Sequence, residues 1–289
     1  MPPDSLKGKT FVVTGANSGI GFFAARRFAE LGASVVLVCR SEQRGEEAVK
    51  AIHSRMDEQN CRLFLADFSS LASVSAMSDR LSAEVPRIDV LCNNAGGANA
   101  GRVLTAEGFE TTFVSNHLSG FLLTRKLLPA LLAAAQEDLA RVVFTSSYGH
   151  TNSPLDFDDL GLENGYSTLK AYGRSKLMNL LTARQLQTQV RDANVVASSF
   201  HPGAVRTPIW KKGGLLARAL GIAVYPFMTD IEQGSDTLIW LASSNDSESR
   251  TADGRYFYKR RAVRTAEFAT EEAARRLWEV SEELIAPFE

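Results

Sequence analysis

The stretch "YSTLKAYGRSK" holds the pattern Tyr-x-x-x-Lys twice, as Tyr166 with Lys170 and as Tyr172 with Lys176. Residues four apart share a helix face, so the lysine ammonium can lie near the phenol oxygen and favour its ionised form. A tyrosine of pKa about 10 is a poor base at neutral pH, and a downward shift of about three units, roughly 4 kcal/mol, makes it useful for general acid–base work. At about 100° per residue, the six-residue offset turns one tyrosine about 240° from the other, so only one pair faces a given crevice. Leu177, Leu180 and Leu181 form an apolar stripe that buries the helix beside Tyr172 and Lys176. That favours the second pair. Tyr166, after "ENG", falls in the first helical turn with a packing or surface role.

A second group of residues suits a phosphate. In "TGANSGIG", Gly15, Gly19 and Gly21 lie between a strand ending at Thr14 and a helix starting near Gly19. Glycine permits the tight turn and lets the backbone approach a pyrophosphate, which the free N–H groups and dipole of the helix N-terminus stabilise. The spacing is G-x-x-x-G-x-G rather than the common G-x-G-x-x-G. At the end of the second strand, "VVLVCRSEQR", a carboxylate would bind the adenosine ribose 2′-hydroxyl and select NAD. Cys39 stands in that place and Arg40 follows, which suits a 2′-phosphate and favours NADP(H).

The elements that must hold these groups are legible as short β-branched runs alternating with longer helical patterns. "TFVVT", "SVVLVC", "RLFLA", "IDVLCN", "RVVFTS" and "NVVASSF" read as strands, with "RYFY" as a possible seventh. Helices are expected over 19–31, 42–56, 70–84, 105–135, 166–190 and 230–243. Near-continuous Val, Ile and Leu mark strands buried on both faces. The expected fold is a single α/β domain, 1–289, with a Rossmann-type doubly wound parallel sheet, helices on both faces, and a ligand crevice at the strands' C-terminal ends.

Whole-chain properties narrow the partner. A formal net charge of −1 supplies no strong field for nucleic acid or an anionic membrane, so a small molecule is expected. Cys39, Cys61 and Cys92 stand singly in or beside apolar runs, as small core residues do, and the four histidines show no metal-site spacing. No metal is implied. The first residues lack the pattern of a secretory signal, and the uncharged run from Ala219 to Thr229 is shorter than the roughly 20 residues of a membrane span. A cytoplasmic protein without a transmembrane segment is therefore expected.

The glycine spacing, with "NNAG" at 93–96 after the fourth strand, resembles the short-chain dehydrogenase/reductase family. Asp67, Asn116, the Ser146/Ser147 pair, Tyr172/Lys176 and "HPGAVRTP" follow in family order, over roughly residues 8 to 260. "NHLSGFLLT", "AYGRSKLMNLL" and "DIEQGSDTLIWLA" look most like the retinol-dehydrogenase and WW-domain-oxidoreductase branch. The resemblance implies carbonyl–alcohol interconversion with NADP(H). It gives Tyr172 as acid or base, Lys176 as its tuner, Ser147 on the substrate oxygen, and Asn116 holding a relay water. Ser175, the small residue before Lys176, fits the family pattern where Leu169 does not. The cofactor is assigned to Gly15, Asn17, Ser18, Gly19, Ile20, Gly21, Arg40, Asp67, Phe68, Asn93, Ala95, Gly96, Tyr172, Lys176, Pro202, Gly203 and Thr207. A nucleotide-sensing protein without turnover, or a sugar-nucleotide epimerase or dehydratase, fits the four catalytic types or the glycine spacing less well.

Two segments lie outside that core pattern. Residues 148–165, with "LDFDDLGLENGY", resemble the insertion of monomeric carbonyl reductases, and a monomer or homodimer is expected. Residues 208–228 stand where the family carries a substrate lid, and Trp210, Leu215, Leu216, Leu220 and Phe227 make the segment apolar. A packed helix or a membrane-surface segment are the alternatives there. A mobile apolar cover implies a hydrophobic, medium-sized ketone or aldehyde.

Overall fold

The computed structural model describes residues 5–55, 60–205 and 229–289. Its sheet has eight strands: β1 (Thr10–Thr14), β2 (Ser34–Cys39), β3 (Cys61–Leu65), β4 (Val90–Asn93), β5 (Ala140–Thr145), β6 (Val195–Phe200), β7 (Tyr256–Tyr258) and β8 (Arg261–Ala262). They lie in the order β3-β2-β1-β4-β5-β6-β7-β8. All neighbours pair in parallel except β7 and β8. The winding reverses between β1 and β4, which opens a crevice at their C-terminal ends.

Seven helices of at least three turns are described: α1 (Gly19–Glu30), α2 (Glu42–His53), α3 (Leu71–Glu84), α4 (Thr111–Ala135), α5 (Thr168–Gln189), α6 (Ile231–Ser243) and α7 (Glu271–Ile285). Strand alternation sends Val12, Val36, Leu91 and Val142 to one face, against α3, α4, α5 and α7. Val13, Leu37, Cys92 and Val143 go to the other, against α1, α2 and α6. Burying each such Leu or Val contributes about 1.5–3 kcal/mol, so both layers are held by apolar contact. All three cysteines are buried and free. By length and composition α4 could cross a membrane, yet 67% of its apolar window is buried inside the fold.

The six strands are where the sequence puts them, and "RYFY" supplies β7. Two helix starts and one whole helix differ, for physical reasons. Helix α4 begins at Thr111 and not at 105, because Gly108, at φ 87°, closes a turn with Thr105 and the Glu110 carboxylate then caps Thr112 and Phe113 at 2.9 and 2.7 Å. Helix α5 begins at Thr168, capped by Ser167 on the Lys170 N–H at 3.2 Å, so Tyr166 precedes the helix and does not lie in its first turn. Helix α7 was not anticipated. Its buried Ala274, Leu277, Trp278, Ser281 and Ile285 form one stripe, and Thr270 caps it.

The 148–165 segment packs on its own chain. Leu155, Phe157 and Leu160 rest on the core, and Arg174 of α5 holds the Pro154 and Asp159 carbonyls at 3.0 and 2.7 Å. Arg276 of α7 lies 4.3 Å over the Phe157 ring.

Candidate active site

The crevice has a backbone side and a side-chain side. On the first, Gly15 and Gly19 take φ of 66° and 57°, the left-handed region that favours glycine. A Cβ on Gly21 would lie 2.5 Å from the Gly15 carbonyl oxygen and 2.6 Å from Asn94 Nδ2, so only hydrogen fits there. Ser18, at the N-cap of α1, makes no side-chain cap bond, and the helix presents its first N–H groups to the crevice. The loop is tied to β4 through the buried Thr14 hydroxyl, which accepts from the Asn94 and Ala95 N–H groups at 2.9 Å each. Asn94 Nδ2 donates to the Thr14 carbonyl at 3.0 Å. This cradle fits a dinucleotide pyrophosphate on an uncapped helix terminus. Half-buried Asn17 and Ile20 complete the loop, and Ile20 also packs on the core.

Arg40 and Asp67, at the ends of adjacent strands, face each other at 3.8 Å with both side chains exposed. Asp67 Oδ1 accepts from the Ser69 amide and hydroxyl at 3.0 and 2.7 Å, which fixes the turn before α3. The Phe68 carbonyl accepts from Ser119 at 2.8 Å. The Asn93 side chain is buried and donates to Thr124 of α4 at 2.8 Å, whereas Asn94 reaches the glycine loop.

On the side-chain side, Tyr172 and Lys176 share the inner face of α5, with Lys176 Nζ 5.5 Å from the Tyr172 ring centre. Lys176 is buried and donates to the Thr145 carbonyl at 3.0 Å. Burial lowers its pKa to about 8. Burial raises the Tyr172 pKa, and a hydrogen bond with the Ser147 side chain works the other way. The lowering expected from Lys176 is therefore not produced by the chain alone: desolvation of the phenolate dominates, and the opposing influence comes from Ser147. Tyr166 lies apart, half-buried, its hydroxyl 3.4 Å from Glu110 Oε1.

The two serines separate cleanly. Ser146 is buried and donates to the Lys176 carbonyl at 2.7 Å, so it braces α5. Ser147 stays half-exposed and its Oγ accepts from the Gly149 N–H at 3.2 Å, leaving the hydroxyl hydrogen for another partner. Asn116 lies on a π-helical turn, Val114–Leu118, inside α4. Its Nδ2 donates to the Gly97 carbonyl at 2.8 Å and to Ser175 Oγ at 2.9 Å, while Oδ1 accepts from the Gly97 N–H at 2.8 Å. Both ends of the Asn116 amide are thus engaged by Gly97 and Ser175. Gly96 lies between it and the lysine: a Cβ there would be 2.9 Å from Asn116 Oδ1 and 3.3 Å from Lys176 Nζ.

Pro202 and Gly203 follow the C-terminal end of β6. Gly203 takes φ 86°, and a Cβ on it would meet Thr229 Oγ1 at 3.3 Å. Thr207 and the 208–228 segment lie outside the described residues. Sequence reasoning missed Thr14, Asn94 and Thr145, whose hydroxyl, amide and carbonyl groups join the two sides. The second Asn of "NNAG" was the available signal.

Comparisons with known proteins agree with this geometry. The short chain dehydrogenase family model matches residues 9–214. Retinol dehydrogenase 14 of Mus musculus is 37% identical over 297 residues, covering 98% of this chain and 87% of the relative. A protein of Streptomyces sp. (strain C5), named as a candidate daunorubicin C-13 ketoreductase, is 38% identical over 97% of this chain and 93% of its own length. A solved structure from Mycobacterium paratuberculosis matches with a TM-score of 0.77 at 29% identity, over 97% of this chain and 94% of that one.

Proposed function

The chain belongs to the short-chain dehydrogenase/reductase family of nicotinamide-dependent oxidoreductases, and we propose that it reduces hydrophobic ketones or aldehydes with NADPH, using Tyr172 as general acid. The observation that carries this reading is the meeting of Tyr172, Ser147 and Lys176 at the crevice while Ser146 and Tyr166 are engaged elsewhere. When bound, reduced nicotinamide supplies a hydride to the carbonyl carbon. The chain's own residues handle the oxygen. The Ser147 hydroxyl donates a hydrogen bond to it, and Tyr172 transfers its proton as the C–O bond becomes an alcohol. The raised Tyr172 pKa suits this direction, because it keeps the phenol protonated until the reaction demands the proton.

Lys176 stabilises the resulting phenolate, and its pKa of about 8 makes it a ready proton donor to restore Tyr172 near neutral pH. Asn116 holds Gly97 and Ser175 so that Gly96 stays against the ammonium. Gly15, Gly19 and Gly21 would hold the pyrophosphate. Arg40 would bind a 2′-phosphate, which supports NADP(H) over NAD(H). The relatives above are named for retinol and, as a candidate, for the C-13 ketone of daunorubicin, which supports a carbonyl–alcohol reaction. Tyr148, next to Ser147 and 66% exposed, offers an apolar ring at the crevice mouth. In a chain-length series of carbonyl substrates, NADPH oxidation should gain up to about 0.8 kcal/mol in kcat/KM per buried methylene. Flat efficiency, or preference for polyhydroxylated carbonyls, would reject the substrate class.

A further inference from the structure

His150 is fully buried in the 3-10 turn Tyr148–Asn152, directly behind Ser147. Two of its groups meet the Ser147 carbonyl: the backbone N–H at 3.2 Å and the ring Nδ1 at 2.7 Å. A carbonyl oxygen only accepts, so Nδ1 carries the hydrogen and Nε2 of the neutral ring is a bare acceptor. Burial lowers the His150 pKa, in keeping with that neutral form. Nε2 is buried with no hydrogen-bond partner among the described residues. The Tyr256 ring closes the other side edge to face, its centroid 4.9 Å away at 76°. The imidazole is thus fixed by one strong hydrogen bond and one aromatic wall.

Ser147 is therefore restrained at both ends. Its carbonyl receives two donors from His150, and its Oγ receives the Gly149 N–H. These bonds leave the hydroxyl hydrogen to the side of Tyr172, whose side chain hydrogen-bonds the Ser147 side chain. We propose that His150 is a positioning residue for the reaction: its Nδ1–H holds the Ser147 peptide so that the serine hydroxyl meets the substrate oxygen. The inference rests on the carbonyl-reductase reading above. Without the ring, the Ser147 carbonyl keeps only the longer backbone bond, and the hydroxyl loses its fixed direction.

Amide substitutions test this atom by atom. His150→Asn places a donor near the Nδ1 position, His150→Gln places one near Nε2, and His150→Leu removes both. Expected are kcat within about threefold of wild type for His150→Asn and about ten- to hundredfold losses for His150→Gln and His150→Leu, with the KM for NADPH unchanged. Should His150→Leu fail to fold, the contrast between the Asn and Gln variants decides. Nitrogen-15 NMR of the cofactor-free wild type should find the neutral Nδ1–H tautomer at His150. A wild-type rate for His150→Leu or His150→Gln, equal losses in the Asn and Gln variants, or an Nε2–H tautomer would overturn the inference. A wild type inactive on every carbonyl would instead fail the reductase reading, and the tautomer would still decide whether His150 holds Ser147.

Discussion

The two sides of the crevice are built by different means. The glycine-loop side is a backbone object: positive φ at Gly15 and Gly19, no room for a Cβ at Gly21, and an uncapped helix terminus. The proposed catalytic side is a set of side chains from α4, α5 and the end of β5: Asn116 and Lys176 are buried and held by partners distant in sequence, whereas Ser147 is half-exposed and held by its near neighbours Gly149 and His150. At Gly21 the backbone side has no room for a Cβ. On the other side burial sets the protonation states, lowering the Lys176 pKa and raising that of Tyr172.

Lys176→Met should show the largest effect on the catalytic side, a loss of about a hundredfold or more in kcat, the range of acid–base assistance. Stability gives an independent readout. The folded pKa, about 8, lies below the ordinary 10.5. Between those values the unfolded chain binds a proton that the folded chain does not, so wild-type stability from this group rises with pH through the window. The rise is roughly 3 kcal/mol at most. Chemical denaturation between pH 7.5 and 10.5 should find it in wild type and a flatter profile in Lys176→Met; parallel profiles would show that burial does not set the lysine's proton.

On the backbone side, Gly21→Ala forces a Cβ against the Gly15 carbonyl, and overpacking of this kind costs about 1–3 kcal/mol. Its melting temperature and NADPH affinity should fall together, and a variant with wild-type affinity would contradict the cradle. Arg40→Ala, at the exposed edge of the same side, should have the smallest effect: about a tenfold rise in the KM for NADPH, the value of one charge-assisted bond, with NADH unaffected. Equal use of both cofactors by wild type would remove Arg40 from that role.

The same contrast explains how much was legible in sequence. The glycine loop, the parallel strands and the Tyr172/Lys176 pair depend on local spacing: the strands form the sheet expected, the loop joins β1 to α1, and the pair shares one face of α5. What escaped depends on partners far along the chain. Asn116 bonds Ser175 across 59 positions, which no local pattern encodes. The π-helical turn that presents Asn116 also leaves no composition signal. Asn93 and Asn94 are identical in type, and only strand alternation sends one to α4 and the other to the glycine loop. The upward shift at Tyr172 follows from desolvation, which spacing cannot reveal. Helix α7 was legible, since "EEAARRLWEVSEELI" has a cap and an apolar stripe; its lack of a chemistry-bearing residue let it pass.

The central claim, that binding and chemistry reside on separate sides and that chemistry belongs to the second Tyr-x-x-x-Lys frame, is tested most directly by comparing Tyr172→Phe with Tyr166→Phe. Each removes one hydroxyl with little change in packing. Steady-state turnover and NADPH affinity would be measured on both. Tyr172→Phe should lose about a thousandfold in kcat or more while binding NADPH within a few-fold of wild type, and Tyr166→Phe should keep both within about twofold. A Tyr172→Phe enzyme that turns over normally, or a Tyr166→Phe enzyme that does not, would contradict the account.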